Sequence, residues 1–341
     1  MNDLTRIITT PIPASASLFA GGQVNDLVSL ADVKQELNIT NTTDDAWMSK
    51  LISRASSAIQ NYCNRQFQVS TWFDQVWPQA GPYVYQLPPR LEPLQLANWP
   101  IATTPSPSGT APPLAPTLSA VGGGSLAATT YYVRISYVTP SGETALSFES
   151  FLAVPANNLL QIAAPGVDEL GIATGWNAYV ATASFTETKQ NLTLTGIGAT
   201  WTLPPTGLVA GAAGPSYVSV VENGPTWATP LGEGVDFLTN AAIGQLTRLA
   251  QITLRPKEWS LPIQVIYPAG FATIPLDVQD AAILLVKGRY YSRNRDPMVR
   301  QQDAQGLFSE TYFFATGPGG QGDLPVDVMA KLDRYRVPVT A

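Results

Sequence analysis

The strongest constraint in this sequence is a helix whose apolar side chains point in every direction. The stretch from Pro275 to Tyr291 predicts the helix, because proline suits a first helical turn and Asp277 lies at the positive end of the helix dipole. Between the two ends, residues 281–286 read AAILLV, which leaves no polar face. A helix that is apolar all round is buried on more than one side, and this run is far too short to cross a bilayer. We therefore predict that the helix lies in the core of a bundle or between subunits.

The sequence as a whole predicts an α+β multidomain fold. Its 341 residues exceed what one core usually holds, and 29 prolines with 27 glycines indicate many turns. Three further helices are predicted: a short one capped by Ser29, a longer one from Asp44 to about Asn64, and a last one that opens at Leu324. Alternating apolar residues and turn signals predict strands at 67–77, 83–87, 130–138, 145–154, 159–162, 176–180, 191–194, 199–203, 217–222 and 250–266.

Shifts in composition predict the domain boundaries. Residues 1–26 read as an N-terminal extended arm, since prolines such as Pro11 exclude a regular helix there. A linker rich in Pro, Ser and Thr opens the segment 104–216, which is nearly uncharged and carries short strands at the spacing of a small β-sandwich. The flanking segments, 27–103 and 217–341, then form one discontinuous connector domain. This domain is a small helical bundle with a few β-strands, interrupted by the inserted all-β sandwich.

No set of residues in the sequence predicts catalysis, a metal site or a cofactor. There is no histidine, and the one cysteine, Cys63, falls on the apolar face of the second helix, where a buried structural thiol is expected. The acidic pairs Asp44–Asp45 and Asp277–Asp280 lie at helix starts, where capping and the helix dipole account for them. The glycine-rich runs lack the Lys-Ser/Thr of a phosphate-binding loop. We predict that the protein is not an enzyme.

The net charge of -6 restricts the partners of the chain. An acidic protein does not coat nucleic acid nonspecifically, but an acidic wall suits a channel through which DNA merely passes. The sequence shows no secretory signal and no run of membrane-spanning length. We therefore expect no membrane partner, and assembly in a reducing cytoplasm.

A basic cluster follows the central helix. Its members are Lys287, Arg289, Arg293, Arg295 and Arg300, with tyrosines and aspartates between them. Two interpretations stay open at this point. The cluster is either the solvated end of a helix, or it forms salt bridges to an adjacent subunit or contacts phosphate groups.

Several stretches of the sequence resemble the head–tail connector (adaptor, head-completion) proteins of tailed bacteriophages. They are the helices LVSLADVKQEL and DDAWMSKLISRASSAIQNYCNRQF, the segment VIYPAGFATIPLDVQDAAILLVKGRYYSRNRD, and the ending LPVDVMAKLDRYRVP. The resemblance covers roughly residues 27–103 and 217–341, and it depends on the order and spacing of these pieces because none of them is an active-site motif.

This resemblance implies a structural virion protein of the neck, the head–tail junction, assembled in the host cytoplasm. It implies a homo-oligomeric ring, by family habit of twelve subunits, that docks beneath the portal protein and offers a platform to a tail or stopper protein. Double-stranded DNA would pass through the ring without sequence-specific binding, and the C-terminal end would grip the portal. The residues assigned to the subunit or portal interface are Ile283, Leu284, Arg289, Arg293, Arg295, Arg336, Val337, Pro338 and Val339.

The insert has a resemblance of its own. Its stretches TYYVRISYVTPSGETALSFES and GWNAYVATAS are similar to Ig- or fibronectin-III-like modules that are common on phage structural proteins. An alternative function is therefore a carbohydrate- or host-surface-binding virion protein, with Tyr131, Trp176, Tyr179 and Trp201 as its aromatic platform. For most of these four residues a place in the sandwich core is the favoured interpretation.

Overall fold

The structure of the protein is a computed structural model that describes residues 5–12, 26–78, 93–103, 106–223, 228–250, 253–291, 293, 301–304, 308–311 and 324–337. For residues 5–12, 77–78, 301–304 and 308–311 it describes the backbone alone. The chain divides into two compact units. The sheet unit comprises Met1–Pro13 and Ser70–Ala269, and the helix unit comprises Ala14–Val69 and Gly270–Ala341.

The helix unit contains the four helices that the sequence predicts. They are α1 (Leu30–Glu36), α2 (Asp45–Cys63), α3 (Leu276–Tyr291) and α4 (Val326–Leu332), the last followed by a 3-10 turn, Asp333–Tyr335. Ser29 caps α1 as predicted: its hydroxyl accepts the Asp32 backbone N–H at 3.1 Å, and the Asp32 carboxylate accepts the Ser29 N–H in return. Asn64 ends α2 in the left-handed conformation, with φ at 50°.

One apolar core holds the helices together. The contribution of α3 comes from a single face, and its buried residues are Val278, Ala281, Ala282, Leu285 and Val286. The facing residues of α2 recur at three-and-four spacing and include Met48, Leu51, Ile52, Ala55, Ile59 and Cys63. Small alanines at the centre of α3 permit close approach of its neighbours, and α4 adds Val328 and Leu332 to the same core.

The opposite side of α3 faces solvent, which corrects one prediction. Within one chain the helix is buried along one face only, so the interpretation that places all of it in a bundle core is wrong. The apolar residues Leu276 and Leu284 are exposed. The other interpretation, a helix between subunits, stays a prediction.

The described strands, in chain order, are β1 (Thr5–Ile12), β2 (Ser70–Pro78), β3 (Leu94–Gln95), β4 (Leu118–Gly122), β5 (Thr129–Thr139), β6 (Gly142–Glu143), β7 (Ser150–Val154), β8 (Asn158–Ile162), β9 (Gly175–Ala181), β10 (Thr188–Lys189), β11 (Trp201–Thr202), β12 (Ser219–Glu222), β13 (Thr229–Leu231), β14 (Phe237–Asn240), β15 (Gln245–Arg248), β16 (Ile263–Ala269), β17 (Gln301–Ala304) and β18 (Phe308–Thr311). The predicted strand at 83–87 lies outside the described residues. The fold is therefore mixed α+β, as predicted, and its strands pair antiparallel.

Two sheets of the sheet unit are built from strands that flank the insert. One has the order β1-β2-β16-β12-β13 and the other β14-β15-β3, and both contribute to one apolar core. A buried ion pair crosses between them: Nε of Arg248 lies 3.0 Å from Oε1 of Glu222, and Nη1 of Arg248 donates to the Asp236 carbonyl oxygen at 2.7 Å. Because burying charge is costly, such a group is stable only when its hydrogen bonds are made, as they are here.

Two further antiparallel sheets come from the insert. One contains β10-β9-β5-β6 with β7 also paired to β5, and the other has the order β11-β8-β4. They share a core in which alternate residues of β5 and β9 meet Leu160 and Ile162 of β8. The other face of β5 and β9 is buried as well, although it is polar. Its Asn177 and Tyr179 donate to Oε1 of Glu143 at 2.9 and 2.6 Å.

One predicted strand of the sheet unit is wrong, and another begins later than predicted. Residues 191–194 form no strand, because the Asn191 side chain makes the bonds of a ladder itself: it accepts from Ala178 N at 2.9 Å and donates to Trp176 O at 3.1 Å. The segment 250–266 becomes a strand only at Ile263. Before that point the described residues form a turn that includes Leu254 at φ 50°.

Candidate assembly interface

A stripe of apolar side chains on α3 is the most conspicuous surface feature of the helix unit. Leu276 is 74% exposed, Leu284 42% and Tyr291 63%, and Ile283 between them is half-buried. At 3.6 residues per turn these four residues fall within about a third of the helix circumference. We call them the α3 stripe. Large apolar side chains in line, rather than scattered singly, are typical of a surface that contacts another protein.

Ion pairs lie on the same side of α3 as the stripe, and at 3.6 residues per turn Asp280 and Lys287 fall within its arc. Lys287 Nζ lies 3.5 Å from Glu36 of α1, and Lys331 Nζ of α4 lies 3.5 Å from Asp280. Arg334 pairs with Asp277 in the same way. These side chains are largely solvated, so each pair contributes at most about 1 kcal/mol of stability. The carboxylates at the start of α3 are therefore engaged with α4, and nothing in their geometry resembles an acid–base pair.

Some residues of the basic cluster at the end of α3 contact other residues of the same chain. Arg293 Nη1 donates to Asp44 Oδ1 at 2.9 Å, and the guanidinium lies 4.5 Å from the ring centre of Trp47. Tyr290 packs on the same indole, with 5.9 Å between ring centres. Arg293 thus belongs to an aromatic cluster at the start of α2. Arg289 also has a partner, and Arg295 and Arg300 lie outside the described residues.

The C-terminal segment is bound to its own helix unit as far as Val337. Its backbone N–H donates to the Cys63 carbonyl oxygen at 2.9 Å, and Arg336 lies 5.3 Å from the ring centre of Tyr62. Tyr335 packs against the ring of Phe67, with 5.8 Å between centres. Pro338 and Val339, also predicted at the interface, lie outside the described residues.

Among the predicted interface residues that the structure describes, Arg293 and Arg336 lie far apart. Arg293 lies at the start of α2 and Arg336 at its end, and a helix of 19 residues is about 28 Å long. Ile283 and Leu284 belong to the α3 stripe. The aromatic anchors Trp47 and Tyr62 were not predicted, although their positions near the two ends of the amphipathic α2 could have indicated them.

Cys63 is confirmed as a buried structural thiol. Burial raises its pKa to about 11, so the thiol is protonated and unreactive at neutral pH. Among the described residues no group of three potential ligands could hold a metal ion. None of the described helices has the length and apolar character needed to span a bilayer.

The aromatic platform of the alternative function is not formed. Trp176, Tyr179 and Tyr131 are buried, and Trp201 is half-buried at the edge of the insert core. Burial and the hydrogen bond to Glu143 raise the pKa of Tyr179, whose hydroxyl is committed to that carboxylate. These aromatic side chains pack the core and are not available to stack on a sugar.

Residues 27–95 match the family described as "Phage gp6-like head-tail connector protein". This match confirms the resemblance predicted from the sequence, and it supports a structural component of a phage particle rather than an enzyme. No curated protein matches the sequence.

Two solved structures resemble the chain over nearly its whole length. "Neck of empty GTA particle computed with C6 symmetry" has 11% sequence identity and a TM-score of 0.32, and the alignment covers 98% of this chain and 97% of that one. "Virion of native gene transfer agent (GTA) particle" has 11% identity and a TM-score of 0.30 at the same coverage. Similarity at this level carries no argument about this chain.

Proposed function

We propose that the protein is a head–tail connector subunit that forms a ring between the portal protein and the tail of a phage particle. The observation that carries the proposal is the family match of residues 27–95. In this ring, expected to hold twelve subunits, double-stranded DNA passes through the channel without sequence-specific contacts. A tail or stopper protein binds the face that the portal leaves free.

The α3 stripe supports a contact between subunits. Leu276, Leu284 and Tyr291 are exposed on one side of a helix whose other side is packed into the core. Burying a leucine side chain contributes about 1.5–3 kcal/mol, so a neighbour that covers the stripe gains several kcal/mol per contact. A closed ring repeats this gain at every interface.

The C-terminal end supports a contact with the portal. Val337 is fixed to Cys63 and Arg336 to Tyr62, so the residues that follow start from an anchored point. We propose that Pro338 and Val339 insert between portal subunits, while Arg336 and Val337 position them. A proline lowers the entropy lost on docking because its backbone is already restricted.

The test is ring formation on purified portal, observed by negative-stain electron microscopy. Wild-type protein is expected to form rings, and Leu284→Glu is expected to abolish them because it places a charge in an apolar contact. Leu192→Glu, which changes a leucine of the insert that is 91% exposed, is the control and should form rings normally. Absence of rings with wild-type protein would overturn the connector function, whereas rings with Leu284→Glu would remove the α3 stripe from the contact.

A further inference from the structure

A cavity of about 330 Å³ lies in the sheet unit. Its walls are the segment 111–117, the loop 163–169 and Pro230 of β13, and Ile135 and Tyr137 of β5 line it as well. The Tyr137 hydroxyl donates to a carbonyl oxygen of the loop at 2.6 Å, which fixes that wall in place. The volume falls in the range of sites that take a small molecule or a large side chain.

The lining of the cavity selects for one kind of ligand. Five prolines contribute to it: Pro112, Pro113, Pro116, Pro165 and Pro230. Proline has a carbonyl oxygen but no N–H, so these five positions offer apolar surface and hydrogen-bond acceptors without backbone donors. A sugar, whose hydroxyls need both donors and acceptors, fits such walls poorly. An apolar side chain on a backbone that supplies N–H groups fits them well.

The rim of the cavity adds apolar and acidic character. Val167 is 72% exposed and Leu114 is also exposed, so the apolar surface continues outward. Asp168 is buried and accepts the backbone N–H groups of Ile172 and Ala173 at 3.1 and 3.0 Å. The neighbouring Glu169 is exposed, which places a carboxylate at the mouth. The complementary ligand is an apolar side chain flanked by cations.

A loop of the same chain has this chemistry. Leu254, between β15 and β16, is 58% exposed, and Arg255 and Lys257 beside it are exposed too. Neither cation forms a salt bridge with a carboxylate among the described residues. Two backbone hydrogen bonds hold the described residues of this turn: Leu254 N donates to Ala250 O at 2.8 Å, and Lys257 N donates to Arg248 O at 2.9 Å. A preformed loop loses little entropy when it docks.

We propose that the loop 253–258 of one copy docks in the proline-lined cavity of a neighbouring copy. Leu254 enters between the prolines, and Arg255 and Lys257 face Glu169. The two surfaces are different patches of one chain, so the contact is heterologous, and repeated heterologous contacts form a ring when the rotation between copies closes. The inference rests on the proposed connector function and identifies a second subunit contact for that ring.

Cysteine cross-linking of the full-length chain on portal rings tests the proposal. Val167→Cys and Leu254→Cys proteins are prepared separately, mixed, assembled on portal and oxidised. At least about tenfold more disulfide-linked dimer is expected than from a mixture of Leu192→Cys with Leu254→Cys, in which an exposed leucine elsewhere on the insert is changed. Cys63 is buried and does not compete.

Charge reversal gives a second measurement on the same assemblies. Glu169→Lys and Lys257→Glu should each lower the cross-linked yield about tenfold, and the two together should restore most of it. Rings without an excess of the Val167–Leu254 dimer, or without rescue in the double variant, would overturn the docking contact and leave the connector function intact. Absence of both rings and dimer would overturn both. If methyl glycosides protect Val167→Cys from thiol labelling and a synthetic 253–259 peptide does not, the cavity is a sugar site and the proposal is wrong.

Discussion

At the scale of single residues, two carboxyl groups of the insert compete for one backbone amide. The N–H of Phe185 donates to Glu149 at 2.8 Å and to Glu187 at 3.2 Å. Burial and, after it, the hydrogen bond with Glu149 together raise the pKa of Glu187 to about 8. The nearby charge of Arg134 opposes the rise but does not cancel it. Glu187 therefore binds its proton more tightly than an exposed glutamate does.

The raised pKa of Glu187 makes the free energy of unfolding depend on pH. The pKa of Glu187 is raised in the folded chain, so its favourable contribution is complete below the ordinary value of 4.5 and is lost as pH rises to about 8. Glu187→Gln keeps an acceptor for Phe185 and a donor for Glu149 without the charge. We expect the variant to gain on the order of a few kcal/mol relative to wild type between pH 5 and pH 9, measured as thermal melting at both pH values.

The control for this measurement is Glu258→Gln, a change at an exposed glutamate outside the pair. Its melting temperature should follow that of wild type at every pH. If the melting temperatures of Glu187→Gln and wild type change with pH by the same amount, the pKa of Glu187 is not raised in the folded chain.

At position 270 the structure permits glycine only. Its φ is 133°, and a Cβ there would overlap the carbonyl oxygen of Gln68. We expect Gly270→Ala to destabilise the helix unit by about 2 kcal/mol or more, measured by urea unfolding. Gly288→Ala is the matched control: that glycine lies in α3 with open space around it, so alanine should stabilise by up to about 1 kcal/mol. Equal stabilities of the two variants would contradict the assignment.

At the scale of elements, the helices could be predicted from the sequence because their signals are local. Spacing of apolar residues and the Ser29 cap fix α1 and α2 without reference to the rest of the chain. The wrong strand prediction arose where contacts between residues distant in the sequence determine the local structure. Asn191 replaces a strand with side-chain hydrogen bonds to β9. The proline cavity joins three distant segments, so no spacing in the sequence indicates it.

The cap of α1 gives a prediction at this scale. Ser29→Ala removes the acceptor for the Asp32 N–H, so helical circular dichroism in urea should show a loss of about 1 kcal/mol. Ser53→Ala is the control because the Ser53 hydroxyl bonds to Ser49 O inside α2, where alanine is the better helix former. Its stability should stay the same or rise slightly. A loss of equal size in both variants would show that the hydroxyl at position 29 does not cap the helix.

At the scale of the whole molecule, the boundaries of the two units differ from the domain boundaries predicted from the sequence. The helix unit contains both ends of the predicted connector domain but none of its long strands, which belong to the sheet unit together with the insert. Within the sheet unit, Ser219 of β12 donates to Leu146 O of the insert at 2.7 Å, and Ser106 N donates to Glu233 at 3.1 Å. The insert is thus tied to the sheet that carries it, while the core of the helix unit uses no insert residue.

Excision of the insert tests separately whether the sheet and whether the helix unit need the insert for their stability. We expect that replacing residues 104–216 by a short Gly-Ser linker leaves the helical circular dichroism transition at its wild-type midpoint, because every residue of the helical core remains. The sheet strands should melt at a lower temperature than in wild type, since Ser219 and Glu233 lose their partners and each lost buried hydrogen bond costs about 1 kcal/mol or more. Calorimetry resolves the two transitions. Loss of the helical transition would show that the insert is integral to the helix unit, and an unchanged sheet transition would show that the contacts at Ser219 and Glu233 contribute nothing.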